Sequence, residues 1–137
     1  MPIEIRREPH GLCKKYTGRV LAEEIIRSDE ETAASPDFDN LRCMLLDFTD
    51  VSSTDVTKEA IDQIAAIDLG SSITNRRIKQ AIVVKTVELE YLALLYARSP
   101  LHHYETRVFC STDKARAWLG ENLFDTQQAN PAGTPNV

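Results

Sequence analysis

Three carboxylates and a run of hydroxyls crowd one short stretch, LLDFTDVSSTDVTK, from Leu45 to Lys58. Asp47, Asp50 and Asp55 are hard oxygen donors of the kind that hold Mg²⁺ when they gather at the end of a strand. Thr49, Asp50, Ser52, Ser53, Thr54, Asp55 and Thr57 form a candidate loop for docking a partner or a phosphate, because a helix beginning just after them would offer free backbone N–H groups and a favourable dipole. The competing explanation needs no chemistry. Asp, Ser and Thr are preferred helix caps, each contributing about 1 kcal/mol, and Asp47 inside a strand can spend its oxygens on neighbouring backbone N–H groups. The phosphatase-like Asp-x-Asp spacing is missing, as are G-x-G-x-x-G and G-K-[ST] phosphate loops. No metal or cofactor is therefore expected.

Two further clusters are candidates. Arg76, Arg77 and Lys79 precede a strand and suit an anionic partner, phosphate or lipid headgroup, against a default of solvated loop charge. Tyr91, Leu94, Leu95 and Tyr96 spread apolar surface around more than one side of a helix. Packing against a sheet accounts for most of it, and the excess suits a cavity for an apolar ligand or a dimer seam. His102 and His103 are adjacent, so on a strand they would face opposite ways and could not chelate together. Neither G-x-S-x-G nor H-E-x-x-H occurs, and no enzymatic activity is expected.

The elements that must position these residues are legible from periodicity. Ile3–Arg6 and Leu12–Tyr16 alternate on either side of Pro9-His10-Gly11, which reads as a hairpin with Gly18 ending its second strand. Residues 21–34 follow helical spacing through Ala22, Ile25 and Ile26 and stop before Ser35-Pro36. Phe38 is expected to fold back onto the core. CMLLDF at 43–48 reads as a central strand covered on both faces. A second helix is expected over 56–69, with Gly70 as its C-terminal cap. QAIVVKT at 80–86 is a strand, and a third helix puts Leu89, Leu92, Ala93 and Tyr96 on one face before Pro100. YETRVFCS at 104–111 is the last strand, followed by a helix packed through Ala115, Trp118 and Leu119. The order is β-β-α-β-α-β-α-β-α. It implies an α/β domain over 1–124 with a mostly parallel sheet and one antiparallel strand from the hairpin. Residues 125–137 have almost no apolar content and are expected to be a disordered tail.

A chain of 137 residues with 42% hydrophobic and 27% charged residues is the size and composition of one globular domain. Its net charge of -5 argues against a nucleic-acid-binding surface. Cys13, Cys43 and Cys110 form no C-x-x-C pair, and all three are expected to be buried thiols in a reducing cytoplasm. No apolar run is long enough to span a membrane, so integral membrane association is not expected.

The element order, together with YTGRV at 16–20, SPDF at 35–38, LLDFTDV at 45–51, the Arg-Arg-x-Lys run before AIVV, and STDKARAWL at 111–119, resembles the STAS / SpoIIAA-like domains. Those include bacterial anti-sigma-factor antagonists and a less characterised SpoIIAA-like branch. The resemblance spans about residues 2–122. It implies a non-enzymatic regulatory module that docks another protein, or itself as a homodimer. In the antagonists a phosphorylatable serine after an aspartate opens the second helix. Here Asp55-Val56-Thr57-Lys58 occupies that place, and Val56 cannot carry a phosphate. The general plan also resembles the CRAL-TRIO lipid-binding proteins, which implies the alternative of an apolar or lipid-like ligand carried between the third helix and the sheet.

Overall fold

The computed structural model describes residues 2–101 and 104–120. Strands β1 (Ile3–Glu8) and β2 (Gly11–Val20) form the hairpin, and β3 (Cys43–Thr54), β4 (Lys79–Val83) and β5 (Glu105–Phe109) complete a sheet in the order β1-β2-β3-β4-β5. The β1/β2 pair is antiparallel and every other pair is parallel. Helices α1 (Ala22–Ala33), α2 (Lys58–Thr74) and α3 (Val87–Ala97) are the crossovers, and α4 (Thr112–Leu119) follows the last strand. This is the α/β order and mixed sheet that the periodicity implies.

The strand order explains the layers. Each crossover advances one strand in the same direction, and right-handed connections that all march one way place their helices on one face. Ile25, Ile61, Ile64, Ala65, Ala93 and Tyr96 from α1–α3 accordingly share a core with Leu12, Tyr16, Met44, Leu46 and Ile82 of the sheet. The opposite face is covered by α4, whose Ala115, Trp118 and Leu119 pack on Cys13, Cys43, Leu45, Ala81 and Val83. Phe38, 4% exposed in a 3-10 turn at Phe38–Asn40, closes onto the larger core as expected. A paired hydrogen bond from Arg116 to Glu8, 2.8 and 3.3 Å, ties α4 back to β1.

Several boundaries differ from the periodicity. β2 does not end at Gly18 but runs to Val20, with register shifts around Lys15/Thr17 and Gly18/Arg19. Gly18 adopts φ 68 there, a left-handed conformation that a side chain would strain. β3 correspondingly continues to Thr54, because Asp50, Val51, Ser53 and Thr54 pair with Thr17, Gly18, Arg19 and Val20. α2 starts later and runs further than expected. Thr57 caps it by accepting from the Ala60 N–H at 3.1 Å, and Gly70 lies inside it rather than beyond its end. Cys13 and Cys43 are buried, whereas Cys110 is exposed just past the edge strand β5. The tail from 125, and His102 and His103, lie outside the described residues.

Candidate functional site

The hydroxyl-rich stretch is mostly strand, and its polar groups have local partners. The Thr49 N–H and hydroxyl both donate to Asp47 Oδ1, at 2.9 and 2.7 Å. Asp50 pairs with Lys15 at 3.1 Å. Ser53 accepts from Arg19 at 3.3 Å, and Thr54 accepts from the Val56 N–H at 3.2 Å. Ser52 is exposed on the strand. Asp55 accepts from the Ala22 N–H at 2.7 Å, so it caps α1 rather than the helix that follows it in sequence. The three carboxylates thus engage separate partners. Only residues 55–57 remain as a loop between β3 and α2.

The basic cluster is likewise divided. Arg76 and Arg77 are exposed, but Lys79 lies over the Trp118 ring, 4.6 Å from its centroid, and pairs with Glu105 at 3.8 Å. The aromatic and aliphatic candidates of α3 separate too. Tyr91, Leu94 and Leu95 border a surface groove of about 300 Å³ with Lys58, Ile61, Asp62 and Arg98. Tyr96 turns inward, to a different place.

That place is an apolar cavity of about 80 Å³ between α1–α3 and the sheet. Alternation along β4 puts Gln80, Ile82 and Val84 on it, and Leu46 and Phe48 of β3 with Tyr16 and Val20 of β2 continue the floor. Helical spacing supplies the roof: Ile61, Ile64 and Asp68 from α2, Leu89, Leu92, Ala93 and Tyr96 from α3, Ile25 and Asp29 from α1. Thr54 and Val56 line it as well, near the carboxyl ends of the parallel strands. Apart from Thr54, the polar lining is one group, Tyr16, Asp29, Asp68, Gln80 and Tyr96, and the rest of the wall is hydrocarbon.

These polar groups form a directed chain. Gln80 Nε2 donates to the Tyr96 hydroxyl at 2.9 Å, and that hydroxyl donates to Asp68 Oδ2. Asp68 in turn hydrogen-bonds Asp29, and Lys14, only 1% exposed, donates to Asp29 Oδ1 and to the Ser28 carbonyl, each at 3.3 Å. Burial, then the neighbouring charge of Asp29, pushes the Asp68 carboxyl up to about 8, so it carries a proton at neutral pH. Burial raises Asp29 too, opposed by the charge and hydrogen bond of Lys14. The Tyr16 and Tyr96 phenols are both raised well above the usual range, chiefly by burial. Tyr16 stands apart: it is 0% exposed, its ring stacks on Phe48 at 4.2 Å, and its hydroxyl has no hydrogen-bond partner.

Of these lining residues the sequence reading singles out Tyr96 and Thr54 but not Lys14's neighbours Tyr16, Asp29, Asp68 or Gln80, nor Lys14 itself. A signal existed. Asp68 continues the buried stripe Ile61, Ile64, Ala65, and Lys14 shares the alternation of Leu12 and Tyr16.

Solved structures similar to this chain include the following two. A protein of the DUF3478 family with a SpoIIAA-like fold, from Shewanella loihica PV-4, matches at TM-score 0.51 with 18% identity, over 85% of this chain and 91% of that one. An anti-sigma factor antagonist from Mycobacterium paratuberculosis matches at TM-score 0.59 with 8% identity, over 85% and 92%. No family model and no curated protein matches the sequence. The fold is SpoIIAA-like, the architecture shared with the STAS domain of the anti-sigma antagonists. Among the described residues no helix is long and apolar enough to cross a membrane.

Proposed function

We propose that the chain is a non-enzymatic cytoplasmic binding module that takes a small, mainly apolar molecule between α3 and the sheet. The observation that carries this reading is the hydrocarbon cavity lined by Ile61, Ile64, Ile82, Leu92 and Ala93, ended by a buried polar cluster that includes an unpartnered tyrosine. Small-molecule sites have this character: mostly apolar walls with a few convergent polar groups. The test is native against denaturing mass spectrometry of the purified protein and of Ala93→Leu, which fills the cavity. Releasable organic mass on the native protein that Ala93→Leu lacks supports the reading. No releasable mass on the native protein, or the same releasable mass on Ala93→Leu, would sink it.

A second reading, regulatory docking of another protein or of a second copy, is favoured by the likeness to an anti-sigma factor antagonist. Its surface would be the short 55–57 loop, the start of α2 and the adjoining groove with Tyr91, Leu94 and Leu95. The two readings are compatible, since Ile61 borders both the cavity and the groove. Sedimentation of Tyr91→Glu beside wild type tests self-association. A dimer that persists in the variant counts against this surface.

A further inference from the structure

We propose that the outer edge of β1 is the interface of a two-fold dimer, in which β1 of a second copy of this chain pairs with it antiparallel, centred on Ile5, and joins the two sheets into one. β1 is the outermost strand, and among the described residues no strand pairs with its outer side. The Thr17 N–H donates to the Pro2 carbonyl at 2.8 Å, and the register sets Ile3 opposite Tyr16. Alternation along an antiparallel pair then turns the even-numbered backbone groups toward β2, and the N–H and C=O groups of Ile3, Ile5 and Arg7 outward. Glu4, Ile5, Arg6 and Arg7 are all exposed. Ile5 is 44% exposed although it shares a face with Ile3, which packs on the larger core. The helices leave most of this strand uncovered, because α1 crosses between β2 and β3 and α4 packs on β2, β3 and β4. The helical side reaches β1 near its end, through Asp37 to Arg7 and Arg116 to Glu8.

Charge selects the partner and the register. Charged side chains on an edge normally deter pairing, but their order here makes β1 complementary to itself. Centred on Ile5, a two-fold pair sets Ile5 against its own counterpart, Glu4 against Arg6 in both directions, and Ile3 against Arg7. Ile3, Ile5 and Arg7 are the positions that exchange backbone hydrogen bonds. Glu4 and Arg6 fall at the intervening positions, where facing side chains lie closest. The other registers fail. Centring on Glu4, Arg6 or Arg7 puts like charges face to face, and centring on Arg7 also brings Pro9, which has no N–H, opposite Ile5. Centring on Ile3 leaves most of the strand unpaired, and centring between two residues sets an outward group against an inward one. The resulting interface is isologous, as closed two-fold symmetry requires. Contact one strand wide is small, so a dissociation constant of about 10–100 μM is expected. The α2/α3 groove stays open to a different partner.

The experiment is sedimentation equilibrium of the full chain, from well below to well above that constant, on wild type, Ile5→Pro, Glu4→Arg, Arg6→Glu and Tyr91→Glu. Ile5→Pro removes an outward N–H and no bond to β2. The monomer therefore keeps its hairpin, while the dimer loses a bond on each side of the axis and weakens about ten-fold or more. Glu4→Arg sets two cations against each other and Arg6→Glu two anions, so each alone is expected to weaken self-association by about ten-fold or more. Mixed in equal amounts, these two variants face each other with opposite charges at both positions, and the mixture is expected to associate as tightly as wild type. That recovery separates the register from a loss of folding. A wild type that stays monomeric across the range overturns the proposal. So does a dimer that Ile5→Pro and both charge variants leave intact, or a mixture no tighter than its components. Tyr91→Glu is expected to leave this dimer unchanged. A dimer lost in Tyr91→Glu and kept in Ile5→Pro overturns the β1 interface and assigns self-association to the groove.

Discussion

The Tyr96 hydroxyl donates to Asp68 Oδ2 across the α2/α3 seam, while itself accepting from Gln80 of β4. One phenol therefore joins two helices and the central sheet through polar atoms, inside a layer otherwise held by hydrocarbon. Such a buried chain is favourable only while every member is satisfied.

Removing that link should be expensive. Tyr96→Phe leaves the Asp68 and Gln80 groups one partner short in a buried setting, although Gln80 keeps its 3.3 Å contact with Thr106. A loss of about 1–3 kcal/mol is expected in urea unfolding. A variant as stable as wild type would show the chain to be dispensable.

The opposite sign is expected at Tyr16. Tyr16→Phe keeps the ring and its stacking on Phe48 but removes a hydroxyl that is buried without a partner. The ligand-free protein should gain about 1 kcal/mol, seen as a rise of a few degrees in Tm. Destabilisation would reveal a partner for that hydroxyl.

Acid at Asp68 makes stability depend on pH in a defined window. Its folded value is raised from 3.8 to about 8. Between those two values the folded chain keeps a proton that the unfolded chain releases, so this group's contribution falls as pH rises from about 4 to about 8 and is flat beyond. The groups that interact with it are Asp29 from α1, Tyr96 from α3, Lys14 and Tyr16 from β2, and Tyr104 just before β5. Asp68→Asn should flatten that slope in unfolding curves collected across the window. An unchanged slope would assign it elsewhere.

Lys14 and Asp29 should behave as a pair. Lys14→Met strands a buried carboxylate and should cost about 3–5 kcal/mol, whereas Lys14→Met with Asp29→Leu should recover much of the loss. A double variant no better than the single one contradicts the pairing.

The Asp55 cap can be separated from the Thr57 cap. Asp55→Ala should cost about 0.5–2 kcal/mol, and hydrogen exchange should speed up at the first turn of α1, where its Ala22 contact lies. Thr57→Ala should loosen the first turn of α2 instead. The same fraying site in both variants would refute the cross-strand cap.

Much of the fold was legible because it is written in local periodicity: alternation in Ile3–Arg6 and the stripe Leu89, Leu92, Ala93, Tyr96. The boundaries near Gly18 and Thr54 were not. They depend on β2 and β3 pairing through two register shifts, a non-local event that no window of either strand records. The cavity's polar end was hidden for a related reason. Asp29 stands among Ser28, Glu30 and Glu31 and looks like helix solvation, and Asp68 looks like the polar end of an apolar run. Their meaning appears only when β2, α1, α2, α3 and β4 bring Lys14, Asp29, Asp68, Tyr96 and Gln80 to one point.

The strand order has a consequence for how the molecule is made. Because spatial order repeats chain order, each strand emerging during synthesis finds its partner already present at the growing edge, and no early strand waits for a late one to be inserted between existing neighbours. Assembly can therefore proceed vectorially on the first face, sealing each of α1, α2 and α3 as it appears. The second face is different. Among the described residues, Leu45, Ala81 and Val83 are covered by Ala115, Trp118 and Leu119 of α4, which comes after every strand. Until that helix docks, the nascent protein presents a bare hydrophobic sheet surface, and this interval is when a chaperone would have most to hold.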